Sequence, residues 1–393
     1  MGQADGMSRE VSPLRQLNRQ RVLAAVRELD AASRADLERV TGLSRGTVAS
    51  IVADLRREGA LRLTYEPGAR AGVQGRPPML LTLAAPPGLA VAVDIGHGHV
   101  RVAAGDAEGR ITAERFRELR ARLSAREKLE AAAALVAAVA REQRLSAGGV
   151  RGATVGLAAP LDIEGQPVGR RFTGFDLAAS TGLSGLTDRV SVMNDADLGA
   201  LGEMAFGAGR DLRDFIFVKM SHGLGAGLVL GGRLYRGSGG LAGNIGHVRV
   251  REDGEVCLCG NRGCLETLVS ARSLIAALQP AHPARRLGLE DLARLVNDRD
   301  PGAERLLNDA GRTVGRTLAD IVNVLNPRAI VVGGSLGALG EPLLSGMRES
   351  VWRYSQPAAA AGLAVLPGRL GERAEVLGGI AVALGVAPAD NRS

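Results

Sequence analysis

Two stretches of the chain share one grammar, and that repetition limits the possible fold more than any other feature. The first runs Leu89-Ala90-Val91-Ala92-Val93-Asp94, then a glycine-punctuated turn, then Val100-Arg101-Val102-Ala103-Ala104-Gly105-Asp106. The second runs Asp214-Phe215-Ile216-Phe217-Val218-Lys219-Met220, then a glycine turn, then Gly227-Leu228-Val229-Leu230. Short apolar runs of this length read as buried strands, and each glycine turn lets a pair fold back as a hairpin. A helix is expected from about Ala125 to Gln143, with further strands at Val150–Leu157 and Val190–Met193. Two strand–turn–strand units, each followed by helices, predict a duplicated, two-lobed α/β fold with a cleft between the lobes.

The cysteines make the strongest chemical statement. All three lie between 257 and 264, in Cys257-Leu258-Cys259-Gly260-Asn261-Arg262-Gly263-Cys264, with Gly246-His247 ahead of them. Three are too few for a disulfide framework. Three thiolates and one imidazole instead complete a tetrahedral set, and Gly260 and Gly263 permit the tight turns of a metal-wrapped loop. With no position left for water, His247, Cys257, Cys259 and Cys264 are expected to hold one structural Zn2+ per chain.

The N-terminal region reads differently. Helices are expected at Leu17–Leu29, at Arg34–Val40 behind a Ser33 cap, and again after Ser44, where Val48, Ile51, Val52 and Leu55 share one face. Gly42 breaks the chain between the second and third. Two strands, Leu61–Tyr65 and Met79–Leu83, follow, and Pro86-Pro87-Gly88 reads as a linker. This is the spacing of a helix-turn-helix, whose second helix presents its N-terminal residues to base edges in the major groove. Those residues are Ser44, Arg45, Gly46, Thr47 and, one turn on, Ser50, with Arg45 suited to a guanine or a phosphate. Arg76, in a Gly/Pro loop between the strands, suits a narrow minor groove. Charge agrees: residues 1–83 carry 13 Arg against 9 Asp and Glu, an excess of four in a chain whose net charge is +7. A coding bias toward arginine gives the same excess, since lysine occurs only at 128 and 219. The competing reading is a helical protein-interaction module.

Aromatic residues are only 3%, so burial falls to Ala, Val, Leu and Ile. Met1 to Leu17 has no apolar core of signal-peptide length. No stretch approaches the roughly 20 apolar residues of a membrane span, so a soluble, cytoplasmic protein is expected.

With these residues in place, the chain from about Leu17 to Val386 resembles the ROK family of bacterial repressors, open reading frames and sugar kinases. The cysteine run with Gly246-His247 carries the most specific likeness. Val192-Met193-Asn194-Asp195-Ala196 is similar to the family's catalytic Asn-Asp segment, Val331-Val332-Gly333-Gly334-Ser335 to its adenosine-loop strand, and Gly75-Arg76-Pro77-Pro78 to the wing of its repressors. The resemblance implies a winged helix-turn-helix followed by a two-lobed actin/hexokinase-like (RNase H-like) domain. It further implies ligand contacts from Asn194, Asp195, Asn244, His247 and Glu266, with Asp195 at the position of the kinases' base.

Departures from the kinase pattern point away from catalysis. The first phosphate turn, Gly-Gly-Thr in the kinases, reads Gly96-His97-Gly98-His99, and the second, Gly-Thr-Gly, reads Ser221-His222-Gly223. Both lose a hydroxyl that holds phosphate and gain imidazoles where the backbone should approach closely. Asn244 stands where a glutamate is usual, and Arg171-Phe172-Thr173-Gly174-Phe175 replaces an asparagine-bearing sugar loop. The expectation is therefore a regulator with a vestigial base at Asp195 and no catalytic residue. It would bind an inverted-repeat operator as a homodimer or homotetramer and respond to a sugar, a sugar phosphate or a protein partner. The alternative is an active ATP-dependent sugar kinase with an appended DNA-binding domain. The expected boundaries are 1–84 for the winged helix, 85–205 for a small lobe joined by a C-terminal helix at about 374–386, and 206–373 for a large lobe carrying zinc and the oligomer surface.

Overall fold

The computed structural model describes residues 13–29, 31–57, 61–65, 79–83, 88–119, 123–169 and 171–387. The chain divides into two compact units, Met1–Pro87 and Gly88–Ser393.

In the first unit, α1 (Pro13–Glu28), α2 (Arg34–Thr41) and α3 (Arg45–Arg57) enclose a core that includes Val22, Val26, Leu37, Val48, Val52 and Leu55. Helix α1 starts four residues ahead of the expected Leu17, because Pro13 suits a first helical position whose N–H would be unpaired anyway. Ser33 opens α2 through a capping box with Asp36. Gly42 closes it at φ +67°, a left-handed conformation that costs glycine nothing, and the chain re-enters helix at Arg45. Strands β1 (Leu61–Tyr65) and β2 (Met79–Leu83) pair antiparallel, and Ala32 bridges to Leu81. The loop bearing Arg76 lies outside the described residues.

The second unit holds two five-stranded sheets. The first comprises β3 (Ala90–Ile95), β4 (His99–Gly105), β5 (Ile111–Glu118), β6 (Ala153–Leu157) and β7 (Val190–Asn194), in the order β5-β4-β3-β6-β7. Helix α4 (Ala125–Glu142) joins β5 to β6, and α5 (Asp195–Phe206) leads out of the sheet. The second sheet comprises β8 (Phe215–Met220), β9 (Leu224–Leu230), β10 (Arg233–Tyr235), β11 (Ala329–Gly333) and β12 (Ala364–Pro367), in the order β10-β9-β8-β11-β12. In each sheet the first strand pairs antiparallel with its hairpin partner on one side and parallel with a returning strand on the other. The predicted duplication is thus realised strand for strand.

Strands β5, β10 and β12 add to the expected set, although the apolar run Leu363-Ala364-Val365-Leu366 did mark β12. β5 buries only Ala113 among its eight residues and lies at a sheet edge, where charged side chains block further pairing. Helix α4 covers the first sheet through Val136 and Val139, and α6 (Pro301–Leu325) with α7 (Glu341–Tyr354) cover the second. A last helix, α8 (Ala374–Ala383), packs on β3 and β6 and against α5, so these two helices sit back to back between the sheets. Their backbones touch: a side chain at Gly378 would strike the Leu198 carbonyl oxygen, and one at Gly202 the Ala374 carbonyl oxygen. Gly378→Ala should therefore destabilise the protein by about 1–3 kcal/mol, as overpacking does in tight cores. Thermal or urea unfolding checks this, and an unchanged midpoint would mean the helices have room that the packing denies them.

Candidate ligand cleft, metal centre and DNA-facing helix

Strands β3 and β8 each end at a glycine turn, and both turns face one cavity of about 960 Å³. Asn194, Asp195, Asn244, His247 and Glu266 all line it, so the structure brings together the five residues expected to meet a ligand. Several are also committed locally. The Asn194 carbonyl oxygen caps α5 by accepting from Ala196 and Asp197 N–H, while its amide donates to the Ala159 carbonyl at 3.1 Å. Glu266 accepts from the Leu224 N–H at 2.9 Å, and Asn244 donates to the Leu241 carbonyl at 3.0 Å.

The cavity floor is a buried charge cluster. Lys219 Nζ donates to Asp195 Oδ2 and contacts Glu375 Oε1, both at 2.8 Å, which ties β8 to the first turns of α5 and α8. Burial alone would push this ammonium down, but Asp195, Glu375 and Asp94 outweigh it and hold its pKa well above the usual value. Asp94 in turn holds His99 Nε2 at 2.7 Å. Its burial is overcome by the charges of Lys219 and His99, and its pKa falls to about 2. Lys128, fully buried on α4, donates at 2.7 Å to both the Gly96 and His97 carbonyls and so fixes the first turn from behind. Neither lysine drew attention in the sequence. Their signal was rarity, two lysines among 49 Lys and Arg, and both are buried.

The two turns interlock. A side chain at Gly98 would meet the His222 ring at 3.2 Å, and one at Gly223 would meet the His97 ring at 3.3 Å. Each imidazole thus fills the space beside the opposite turn's glycine. Burial, more than any charge nearby, lowers the His97 pKa to about 4, so it is neutral near pH 7. His222 is lowered for the same leading reason.

His247, Cys257, Cys259 and Cys264 bring one donor atom each to within 4.8 Å of one another. His247 Nδ1 lies 3.5 Å from Cys257 Sγ, and Cys259 Sγ lies 3.6 Å from Cys264 Sγ. Burial and the neighbouring thiols push Cys264 up to about 12. Three sulfurs and an imidazole nitrogen this close offer the donor set of a tetrahedral site, so the four residues could hold a metal ion. His247 lines the ligand cavity as well.

On α3, Arg45 and Gly46 are exposed at the helix start. Ser44 caps it, its Oγ accepting from the Thr47 N–H and lying 2.9 Å from Thr47 Oγ1. Ser50, though exposed, accepts a hydrogen bond from Arg15 of α1 at 3.1 Å, and Arg15 also pairs with Asp54. No helix among the described residues is long and apolar enough to cross a membrane.

Comparison with known proteins places this geometry. The ROK family profile matches residues 90–386. The xylose repressor of Bacillus subtilis is 28% identical over 93% of this chain and 94% of its own length. A crystal structure of a ROK family transcriptional regulator, a homologue of the E. coli MLC protein, superposes with a TM-score of 0.71 at 23% identity, covering 95% of this chain and 96% of its own. A ROK family glucokinase from Streptomyces griseus, solved with glucose and AMPPNP, superposes with a TM-score of 0.64 at 29% identity, covering 76% of this chain and 99% of its own. The two-lobed unit therefore has the actin/hexokinase-like fold of sugar kinases, and the chain belongs to the ROK family.

Proposed function

We propose that this protein is a DNA-binding transcriptional repressor of carbohydrate-related genes, whose kinase-like unit binds a sugar without phosphorylating it. The interlocked turns carry this reading. The space beside Gly98 and Gly223, where a nucleotide's phosphates would need close backbone approach, is taken by His222 and His97. Asp195 is likewise engaged, with Oδ2 on Lys219 and Oδ1 accepting from the Ala196 N–H. The extent of the likenesses agrees: the repressor and the regulator match over 93% and 95% of the chain, the glucokinase over 76%. The kinase alternative is tested by a coupled assay with ATP over a panel of hexoses and pentoses. No turnover above background is expected, and sustained turnover would overturn the reading.

In this proposal residues 1–84 are a winged helix-turn-helix, with Ser44, Arg45, Gly46, Thr47 and Ser50 at the major groove and Arg76 in the minor groove. Residues 85–205 with 374–386 form the small lobe, and 206–373 the large lobe that carries the oligomer surface. A homodimer or homotetramer would set recognition helices about 34–36 Å apart, or a multiple of that, on an inverted repeat. Selection from a random duplex pool should recover such a repeat. On the selected site, Arg45→Ala should lose about 1–3 kcal/mol of binding relative to random duplex. Equal losses on both duplexes would reduce Arg45 to a phosphate contact.

The ion we assign to the four-residue cluster is zinc. Zinc–sulfur bonds of about 2.3 Å put tetrahedral neighbours roughly 3.7 Å apart, close to the spacings of 3.5 and 3.6 Å at this cluster. With all four donors supplied by the chain, zinc there would brace the loop and orient His247. Elemental analysis should find about one zinc per chain. Cys259→Ser should lose it and unfold at a lower temperature, because metal binding contributes directly to folding. A metal-free yet equally stable purified protein would refute the assignment.

A further inference from the structure

The first turn of α5 buries a second carboxyl group beside Asp195. Asp197 is 3% exposed and lines the ligand cavity, yet Lys219, which holds Asp195, does not hold it. Its backbone N–H joins the Asn194 cap, but among the described residues neither of its carboxyl oxygens accepts a hydrogen bond. The cation beside it is Arg236, whose Nε stands 3.5 Å from Oδ2, long for a hydrogen bond, and Nε itself is buried without a partner. Burial, more than any charge nearby, pushes the Asp197 pKa up to about 7, against the pull of Arg236. A buried acceptor without a donor is costly, and at a cavity wall a ligand can supply the donor.

Arg236 fixes where that acceptor stands. It follows β10, is itself buried, and reaches across to the segment between β6 and β7. There Nη2 donates to the Asp162 carbonyl at 2.8 Å and Nη1 to the Ile163 carbonyl at 3.2 Å. Both sides of this joint are held locally. The Asp162 carboxylate accepts from the Glu164 and Gln166 N–H groups, and the Arg236 carbonyl accepts from the Ala242 N–H at 3.0 Å. The backbones touch, since a side chain at Gly240 would lie 2.4 Å from the Asp162 carbonyl carbon. Leu161 on one side and Leu241 on the other line the cavity, so Asp197 offers its oxygens where the two halves of the wall meet. Asp195 is balanced by Lys219 and Asp197 by Arg236, so this end of the cavity lacks donors rather than charge. A hydroxyl is an uncharged donor.

On the sugar-sensing reading above, we infer that Asp197 is a further ligand-binding residue, accepting a hydrogen bond from a hydroxyl of the sugar, and that Arg236 positions it. Through the guanidinium, that one hydroxyl is tied to both halves of the cleft.

The test is titration calorimetry on the full-length protein with D-glucose, D-galactose, D-xylose and their monodeoxy analogues. For at least one hydroxyl, the analogue lacking it should bind wild type roughly ten- to hundredfold more weakly than its parent, because a hydrogen bond to a charged acceptor is lost. In Asp197→Ala the parent should weaken to the level of that analogue, closing this deficit while the deficits at other hydroxyls persist. Asp197→Asn, which keeps the shape of the side chain, should shrink the same deficit several-fold and decides the matter if the alanine variant does not fold. Arg236→Gln should narrow that deficit too, and Arg236→Lys, which restores a positive charge, should recover part of it. Deficits that stay unchanged in the Asp197 variants overturn the inference and leave the sugar-sensing reading intact. Equal weakening of every sugar and analogue by Arg236→Gln overturns the positioning role. If no sugar in the panel binds wild type, the sugar-sensing reading fails and the inference fails with it.

Discussion

One buried cation organises the second unit. Lys219 rises from the centre of the second sheet into the gap between α5 and α8, where Asp195 and Glu375 each meet it at 2.8 Å. Removing an ammonium from water costs several kcal/mol, so a single carboxylate would barely balance it. Two carboxylates in contact, with Asp94 nearby, do so. Deleting one partner would strand a buried charge, at a cost on the order of 3–5 kcal/mol. The helices are held by the same arrangement, because α5 and α8 touch through Gly202 and Gly378 with no side chain between them. A fixed cation at their N-terminal turns and close backbone contact behind it leave the sheets little freedom to slide.

The chemistry of the floor follows from that cation. Phosphoryl transfer needs a base free to accept a proton and metal-bound phosphates seated against the backbone. Here Asp195 is bonded to an internal cation and Asp94 to an imidazole, so both carboxylates already have partners. The glycines that would admit phosphate instead receive His97 and His222. The cleft keeps both carboxylates, each partnered by a side chain of the protein, and holds two imidazoles beside the glycines of its turns.

Much of this was legible in the sequence because the responsible forces are local. Glycine turns between apolar runs fixed both hairpins, Ser33 and Gly42 marked the ends of α2, and the clustered cysteines announced their own proximity. What was missed depends on contacts between distant residues. β5 pairs through its backbone at an edge, so its charged sequence Glu114-Arg115-Phe116-Arg117-Glu118 carries no apolar alternation. Leu224 begins β9 three residues before the expected strand, because pairing with Met220 extends the hairpin through Gly225. Asn194 illustrates the opposite case: the capped turn that Asn-Asp suggests after any strand is present, and the residue lines the cavity as well. The lysines carried the subtlest signal. In a chain that otherwise uses arginine, each lysine stands where a compact ammonium bonds two acceptors in confined space.

The candidate metal-binding cluster and the cavity share His247 and Cys259, and that sharing constrains how a sensor of the proposed kind would work. His247 contributes Nδ1 to the cysteine set while its ring lines the cavity. Glu266, two residues beyond Cys264, reaches the second turn through the Leu224 N–H. The cysteine loop therefore fixes the wall of the cavity contributed by the second half of the unit, whereas Asn194 and Arg171 belong to the first. A ligand touching both walls alters the energy of their separation, and one touching a single wall does not. Since a ligand shifts an equilibrium only by its differential affinity for the two states, the signal must come from contacts that span the cleft.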